Sequence, residues 1–405
     1  MNQPLDSKTS RVSSKEGHDL ELSVLLPCLN EAETLATCIR KAKTFLERNG
    51  IHGEILVADN GSSDGSVLIA EKEGARLIKV DQQGYGYALQ QGIREALGRY
   101  VIMGDADDSY DFLHLTEFIV GLRRGDDLVV GNRFKGGIKK DAMPNLHRYL
   151  GNPVLTTLGR FFFKSPVGDF HCGLRGFNRE SILGLNLQTG GMEFASEMVV
   201  KATLRGLKIS EVPTSLSPDG RNRPPHLRSW RDGWRHLRFM LLYSPKWLFL
   251  YPGLFLVIAG CALGLWILPS PRKLGNATLD IHTLLYAALA VILGFQSVLF
   301  ALFTKISGIL EGWLPPDKRL DRFLERHALE TGLLGGGFLS LLGFFGSVYA
   351  VQTWKEKGFG PLDPSVTFRT IIPSVLCIVI GIQVVFASFF LSVLTLKKTD
   401  SSLPP

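Results

Sequence analysis

The chain has 405 residues, 45 Lys and Arg against 38 Asp and Glu for a formal charge of +7, and 45% apolar side chains. That composition excludes a disordered or collagen-like chain and a small disulfide-stapled domain, and the length suffices for a large domain plus a second region. The average conceals two environments, because only 13 basic and 9 acidic side chains lie from Lys246 onward. The positive balance points to an anionic partner.

Residues 1–20 read as a polar tail with no apolar leader. Leu22–Pro27 (LSVLLP) is a short apolar run closed by proline, the mark of a buried strand. Glu31–Asn49 then sets Leu35, Ile39, Ala42 and Leu46 on one helical face. A second strand is predicted at Glu54–Ala58, stopping at the turn Asp59-Asn60-Gly61. Further strands are predicted at Arg76–Val80, Tyr100–Met103 and Asp127–Val130, with helices at Gly86–Leu97 and Leu113–Arg124. Apolar strands alternating with helices predict an α/β domain over residues 21–225, with a mostly parallel sheet covered on both faces. Ligands of such sheets bind beyond the carboxyl ends of the strands. The polar clusters Asn30-Glu31, Asp59–Gly65 and Asp105–Asp108 fall at those ends.

Asp105-Ala106-Asp107 follows the run YVIMG. Two carboxylates one residue apart can hold a hard divalent cation, Mg²⁺ or Mn²⁺, completed by phosphate oxygens. The glycines around Asp59 and at Gly84-Tyr85-Gly86 allow close backbone approach to a nucleotide, or form only turns. The five cysteines have no metal-ligand spacing and read as free thiols. Glu193 and Glu197, one helical turn apart, are either a polar helix face or site residues.

Arg221, Arg223, Arg228, Arg231, Arg235 and Arg238 are interleaved with Trp230, Trp234, Leu237, Met240 and Leu241. Before an apolar run this predicts an interfacial amphipathic helix over residues 226–246 on anionic lipid, not a nucleic-acid site. Arg221 and Arg223 lie in a Pro-rich loop that would close on donor phosphates. Four stretches of at least 24 residues lack Asp, Glu, Lys and Arg: Trp247–Pro271, Ile281–Thr304, Thr331–Trp354 and Thr370–Leu396. They predict membrane spans near 247–267, 283–303, 331–351 and 371–391, with Pro252 and Pro373 near span ends and a second interfacial segment at 311–330. Basic residues such as Lys318, Arg319 and Arg322 put that segment, the N-terminal domain and the tail 397–405 in the cytoplasm.

PCLNEAE (Pro27–Glu33), ADNGSSDGS (Ala58–Ser66), QQGYGYALQQGI (Gln82–Ile93) and GDADDSYDF (Gly104–Phe112) occur in that order. Together they resemble the family-two inverting nucleotide-sugar glycosyltransferases of GT-A fold. GNRFKGG (Gly131–Gly137) and DFHCGLRGF (Asp169–Phe177) are similar to the polyprenyl-phosphate branch, typified by dolichyl-phosphate mannose synthase. The resemblance covers roughly residues 20–240. It implies a UDP- or GDP-hexose donor bound by Pro27, Leu29, Asn30, Glu31, Asp59, Gly61, Asp105 and Ala106. It further implies a metal on Asp105 and Asp107 with Ser109 at the position of a further ligand. Transfer to polyprenyl phosphate would be served by Asp107, Arg133, Arg148 and Arg175, in a chain compatible with a homo-oligomer. Tyr85 and Cys172 stand where the family usually has Lys and Ser. The alternatives are a glycerolipid or other membrane-acceptor glycosyltransferase, and a catalytically silent scaffold that binds sugar nucleotides. A processive polysaccharide synthase is disfavoured because no Gln-x-x-Arg-Trp is present.

Overall fold

The computed structural model describes residues 20–221, 229–325 and 328–400. The expected tail 1–20, apart from Leu20, lies outside them, as do Arg223, Arg228, Arg326 and the last five residues. The chain divides after Met240 into two compact units.

The first unit is built on seven strands: β1 (Leu22–Cys28), β2 (Gly53–Asp59), β3 (Arg76–Lys79), β4 (Tyr100–Met103), β5 (Leu128–Asn132), β6 (Arg175–Asn178) and β7 (Ile209–Pro213). Their order is β3-β2-β1-β4-β6-β5-β7. All pairs are parallel except those of β6, which runs antiparallel between β4 and β5. Every residue of β1 and β4 is buried, as expected of strands covered on both faces. The helix Leu35–Arg48 covers the sheet with Leu35, Cys38, Ile39, Ala42, Phe45 and Leu46, the 3.6-residue stripe visible in the sequence. It starts four residues later than expected, because Asn30 adopts a left-handed φ of 59° and a turn intervenes.

The chain winds from β1 to β2 and β3 on one side, then returns to place β4 on the other side of β1. A crevice opens at such a reversal, beyond the carboxyl ends of the two diverging strands. Pro27–Glu31 leaves β1 there and Asp105–Asp107 leaves β4. The antiparallel β6 brings the segment Asp169–Leu174 against the same loop. An added Cβ at Gly173 would lie 2.5 Å from Asp105 Oδ2, so only glycine fits. The loop after β7 closes the arrangement through Ser217 N–H to Ser109 O and Gly220 N–H to Asp107 O, each at 2.9 Å.

The second unit holds four helices long and apolar enough to cross a membrane, at Lys246–Ile267, Ile281–Leu310, Leu329–Glu356 and Pro364–Leu394. Glycines let them pack backbone to backbone. A Cβ at Gly260 would lie 2.7 Å from Ala287 O, and one at Gly336 2.6 Å from Gly381 O. Arg369, in the fourth helix, pairs with Asp280 and donates to Leu268 O at 2.9 Å, capping the carbonyl end of the first helix. Pro252 sits at the start of the regular α-helical part of the first of these helices, Tyr251–Ile267, just after the wider helical turn Lys246–Leu250. Pro373 instead lies inside the helix Pro364–Asp400, a correction to its expected place near a span end. In the expected interfacial segment 311–330, a helix forms over Lys318–Glu325.

Candidate active site

A cavity of about 530 Å³ occupies the crevice between β1 and β4. Pro27, Leu29 and Glu31 line it from the β1 loop, and Asp105, Ala106 and Asp107 from the β4 loop. These six were expected at the site. Thr34 Oγ1 donates to Ala106 O at 2.7 Å and ties the two loops together.

Burial, together with the neighbouring Asp107, pushes the Asp105 carboxyl up to about 6. Tyr85 opposes the shift by donating its hydroxyl to Asp105 Oδ1 at 2.8 Å. Two close carboxylates on a cavity wall are a donor set suited to a hard divalent cation, which would relieve their repulsion. Among the described residues no group of three or more His, Cys, Asp or Glu side chains is arranged around a metal position. The pair would therefore need further oxygens from a ligand such as a diphosphate. Ser109, expected as a further ligand, is hydrogen-bonded to one of the two carboxylates. Its hydroxyl donates to Asp107 Oδ1 at 2.6 Å and it is absent from the cavity wall, so it orients the carboxylate.

Arg221 projects into this carboxylate cluster. Nη1 donates to Glu31 at 3.0 Å, and Nη2 to Asp107 at 2.9 Å and to Asp219 at 2.8 Å. The expected partner in its loop, Arg223, lies outside the described residues.

Three expected nucleotide residues are held by hydrogen bonds within their own loops. The Asp59 carboxylate accepts the amides of Gly61 and Ser62, Gly61 forms the turn itself, and Asn30 Oδ1 accepts the Ser63 amide at 2.7 Å. None of the three is on the cavity wall. They shape the loop, since a carboxylate at a glycine turn finds backbone amides before it finds a ligand. Asn60 does line the cavity, and holds Gly84 N–H at 2.6 Å.

The three arginines expected at the acceptor are engaged by other parts of the protein in this structure. Arg175 is 0% exposed, and its guanidinium donates to Cys172 O at 2.9 Å, Phe170 O at 2.7 Å and Ala195 O at 2.5 Å. Burial lowers its pKa. Arg133 forms a buried fork with Asp169 at 2.7 and 2.8 Å. Arg148 lies 5.5 Å over the Tyr149 ring. None of the three lines the cavity. Glu197 is likewise structural: it pairs with Lys201 at 2.7 Å and accepts the amides of Gln188 and Thr189.

Among the side chains on the cavity wall that sequence reasoning did not place there are Tyr85, Arg231, Asp232 and Arg235. The last three come from the helix Ser229–Leu242, where Arg231 and Arg235 are one turn apart. That spacing was legible, but the arginines read as facing lipid. The buried stripe of this helix is Asp232, His236, Phe239 and Met240, whereas Trp230 and Trp234 are exposed.

Comparison with known proteins places this geometry. The low-salt glycan biosynthesis hexosyltransferase Agl6 of Haloferax volcanii is 39% identical over 373 residues, covering 91% of this chain and 88% of that protein. The profile "Glycosyl transferase family 2" matches residues 23–184, and "Glycosyltransferase family 2 C-terminal transmembrane region" matches 302–395. The chain belongs to glycosyltransferase family 2. It is a membrane glycosyltransferase of GT-A-like α/β fold followed by four apolar helices. A dolichyl-phosphate hexose transferase of the same organism is 29% identical over 193 residues, 48% of this glycosyltransferase and 81% of that one. Among solved structures, glucosyl-3-phosphoglycerate synthase from Mycobacterium tuberculosis, in complex with Mn²⁺ and UDP-glucose, is 21% identical with a TM-score of 0.45. The match covers 56% of this glycosyltransferase and 79% of that chain.

Proposed function

We propose that this glycosyltransferase moves a hexose, with inversion, from a UDP- or GDP-hexose to polyprenyl phosphate on the cytoplasmic leaflet. In this reading residues 21–225 are the catalytic domain, 226–246 an interfacial segment and 247–396 the membrane domain. The observation that carries the proposal is the convergence of Asp105, Asp107 and Glu31 around Arg221 in one cavity at the chain reversal. The names of the Haloferax relatives support the hexose and the lipid-phosphate acceptor.

Asp105 and Asp107 would hold Mg²⁺ or Mn²⁺, which supplies charge neutralisation for the leaving diphosphate. Tyr85 and Ser109 fix the two carboxylates. Arg221, already at the carboxylates, is placed to turn to the donor phosphates. The acceptor's phosphate oxygen bonds to the anomeric carbon as the bond from that carbon to the donor's β-phosphate oxygen breaks. The nucleoside diphosphate leaves with the electron pair. A phosphomonoester, with a second pKa of roughly 6, is already ionised near neutral pH, so the site has to position it and needs no base.

A second reading rests on Glu193, whose buried Oε2 has no hydrogen-bond partner and packs against Gly191 on the cavity wall. A carboxylate there suits a general base for a hydroxyl acceptor, as on a glycerolipid. Incubation of the purified protein with a panel of UDP- and GDP-hexoses, Mg²⁺ or Mn²⁺, and either polyprenyl phosphate or diacylglycerol separates the two. A prenyl-phosphate sugar is the expected product, and a glycolipid formed from diacylglycerol alone would replace this proposal with the second reading.

A further inference from the structure

Arg231 and Arg235 reach the cavity from the helix Ser229–Leu242, and both lean on Asp232, whose carboxylate is buried. These contacts are long, 3.5 Å from Arg231 Nε and 3.7 Å from Arg235 Nη1. Arg231 thus gives Nε to a long hydrogen bond and Arg235 stands beyond hydrogen-bond distance, so the carboxylate attracts both guanidinium groups while most of their donors stay available. The third arginine on the wall differs, because Arg221 is closed on Glu31, Asp107 and Asp219 at 3.0 Å or less. Arg231 and Arg235 thus present two planar forks to the cavity.

Trp230 and Trp234 each precede one of these arginines, and their indoles are 83% and 58% exposed. A cationic stripe facing the cavity therefore runs beside an exposed aromatic stripe along the same two turns. A ligand that satisfies both is an amphiphile, with an anionic head rich in acceptor oxygens and an apolar body. A phosphomonoester dianion offers three oxygens to two forks, the geometry in which arginine binds phosphate best.

We infer that Arg231 and Arg235 form the head-group site for a lipid-borne phosphomonoester, with Asp232 as the positioning residue that holds them together. The inference rests on the proposed function in taking that phosphate as the sugar acceptor. It adds this helix to Arg133, Arg148 and Arg175, the arginines that the family resemblance implied for transfer to that phosphate.

Full-length protein in nanodiscs, titrated calorimetrically with farnesyl phosphate without donor and then assayed for transfer, tests it. Arg231→Ala and Arg235→Ala should each weaken farnesyl phosphate binding, and raise its KM, by about tenfold or more, with the KM of the donor within twofold. Arg231→Lys and Arg235→Lys should recover part of the loss. Arg238→Ala, an exposed arginine of the same helix that does not line the cavity, should stay within twofold, and farnesol should bind wild type and variants equally weakly. A rise in donor KM instead would make this a donor-phosphate site and overturn the inference. Equal losses in Arg238→Ala, present only in nanodiscs containing phosphatidylglycerol, would reduce it to attraction by the membrane surface. Undiminished transfer to farnesyl phosphate by the double alanine variant would refute this site and leave the proposed reaction intact. A wild type that binds farnesyl phosphate through both arginines, yet never glycosylates it, would refute the reaction and leave this site standing.

Discussion

The cavity wall and the buried polar cluster around Arg133, Asp169, Arg175, His171 and His236 are built from the same residue types and solve opposite problems. In the buried cluster charge is closed off. Asp169 answers Arg133 with two short bonds, and three backbone carbonyls answer Arg175. On the wall, charge is left in excess. Asp105 is held beside Asp107 at the cost of a raised pKa, and Arg231 and Arg235 meet Asp232 only loosely. An arginine that looks functional in sequence is therefore informative only once its partners are known. A closed fork stabilises the fold, and an open one awaits a ligand.

The comparison breaks most sharply at Asp107. Asp107→Asn keeps the shape and removes the charge, so turnover should fall roughly a thousandfold, with the melting temperature unchanged. Equal loss of melting temperature and turnover would put Asp107 in the structural class. Arg133→Ala leaves Asp169 as an unpaired buried charge and should cost about 3–5 kcal/mol of stability, read by denaturant titration. If the protein stayed stable but lost acceptor affinity, Arg133 would return to the site. Tyr85→Phe removes a hydrogen bond to a carboxylate and should raise the half-saturating Mn²⁺ concentration about tenfold, with kcat at saturating metal nearly retained.

A smaller effect comes from the histidines. Burial, and for His171 also the charge of His236, depresses both pKa values: His171 falls well below its ordinary value, and His236, also buried, falls to about 4. The unfolded chain therefore binds more protons than the folded one between pH 6.5 and about 4, so stability is complete above that window and falls as pH drops through it. Thermal melts from pH 7 to pH 5 should decline, by about 2–4 °C per kcal/mol for a unit of this size, and His236→Gln should flatten the slope. The smallest expected change is Glu193→Gln, within twofold on a phosphate acceptor; a loss of a hundredfold would establish it as the base of the second reading.

Much of the fold was legible because burial on both faces writes itself as uninterrupted apolar runs. Tyr100–Met103 is a strand at its expected bounds, and β1 and β2 differ from expectation by a residue at their ends. β6 was missed, since RGFN is four residues long and begins with an arginine whose burial rests on three backbone carbonyls, at Phe170, Cys172 and Ala195. At the site, the carboxylate pair was legible because two acids one residue apart follow directly on an apolar strand. The local partners of Asp59 and Asn30 were not legible: turn amides lie within three residues of Asp59 and across the neighbouring loop from Asn30. Arg231 and Arg235 were seen only as two of six arginines in a basic amphipathic segment, because one-dimensional spacing cannot tell which side of a helix closes over a cavity.

In the proposed reaction, Arg221 would give the metal site a resident counter-ion. Its guanidinium already neutralises Asp107 and Glu31, so taking up a divalent cation is an ion exchange on an occupied site. Exchange of this kind is reciprocal. Whatever the displaced guanidinium gains from a donor phosphate strengthens the hold on the metal by the same factor, and metal without donor has to compete with the arginine unaided. The enzyme would then bind its cation weakly alone and tightly with the sugar nucleotide, which makes the two arrive as one substrate.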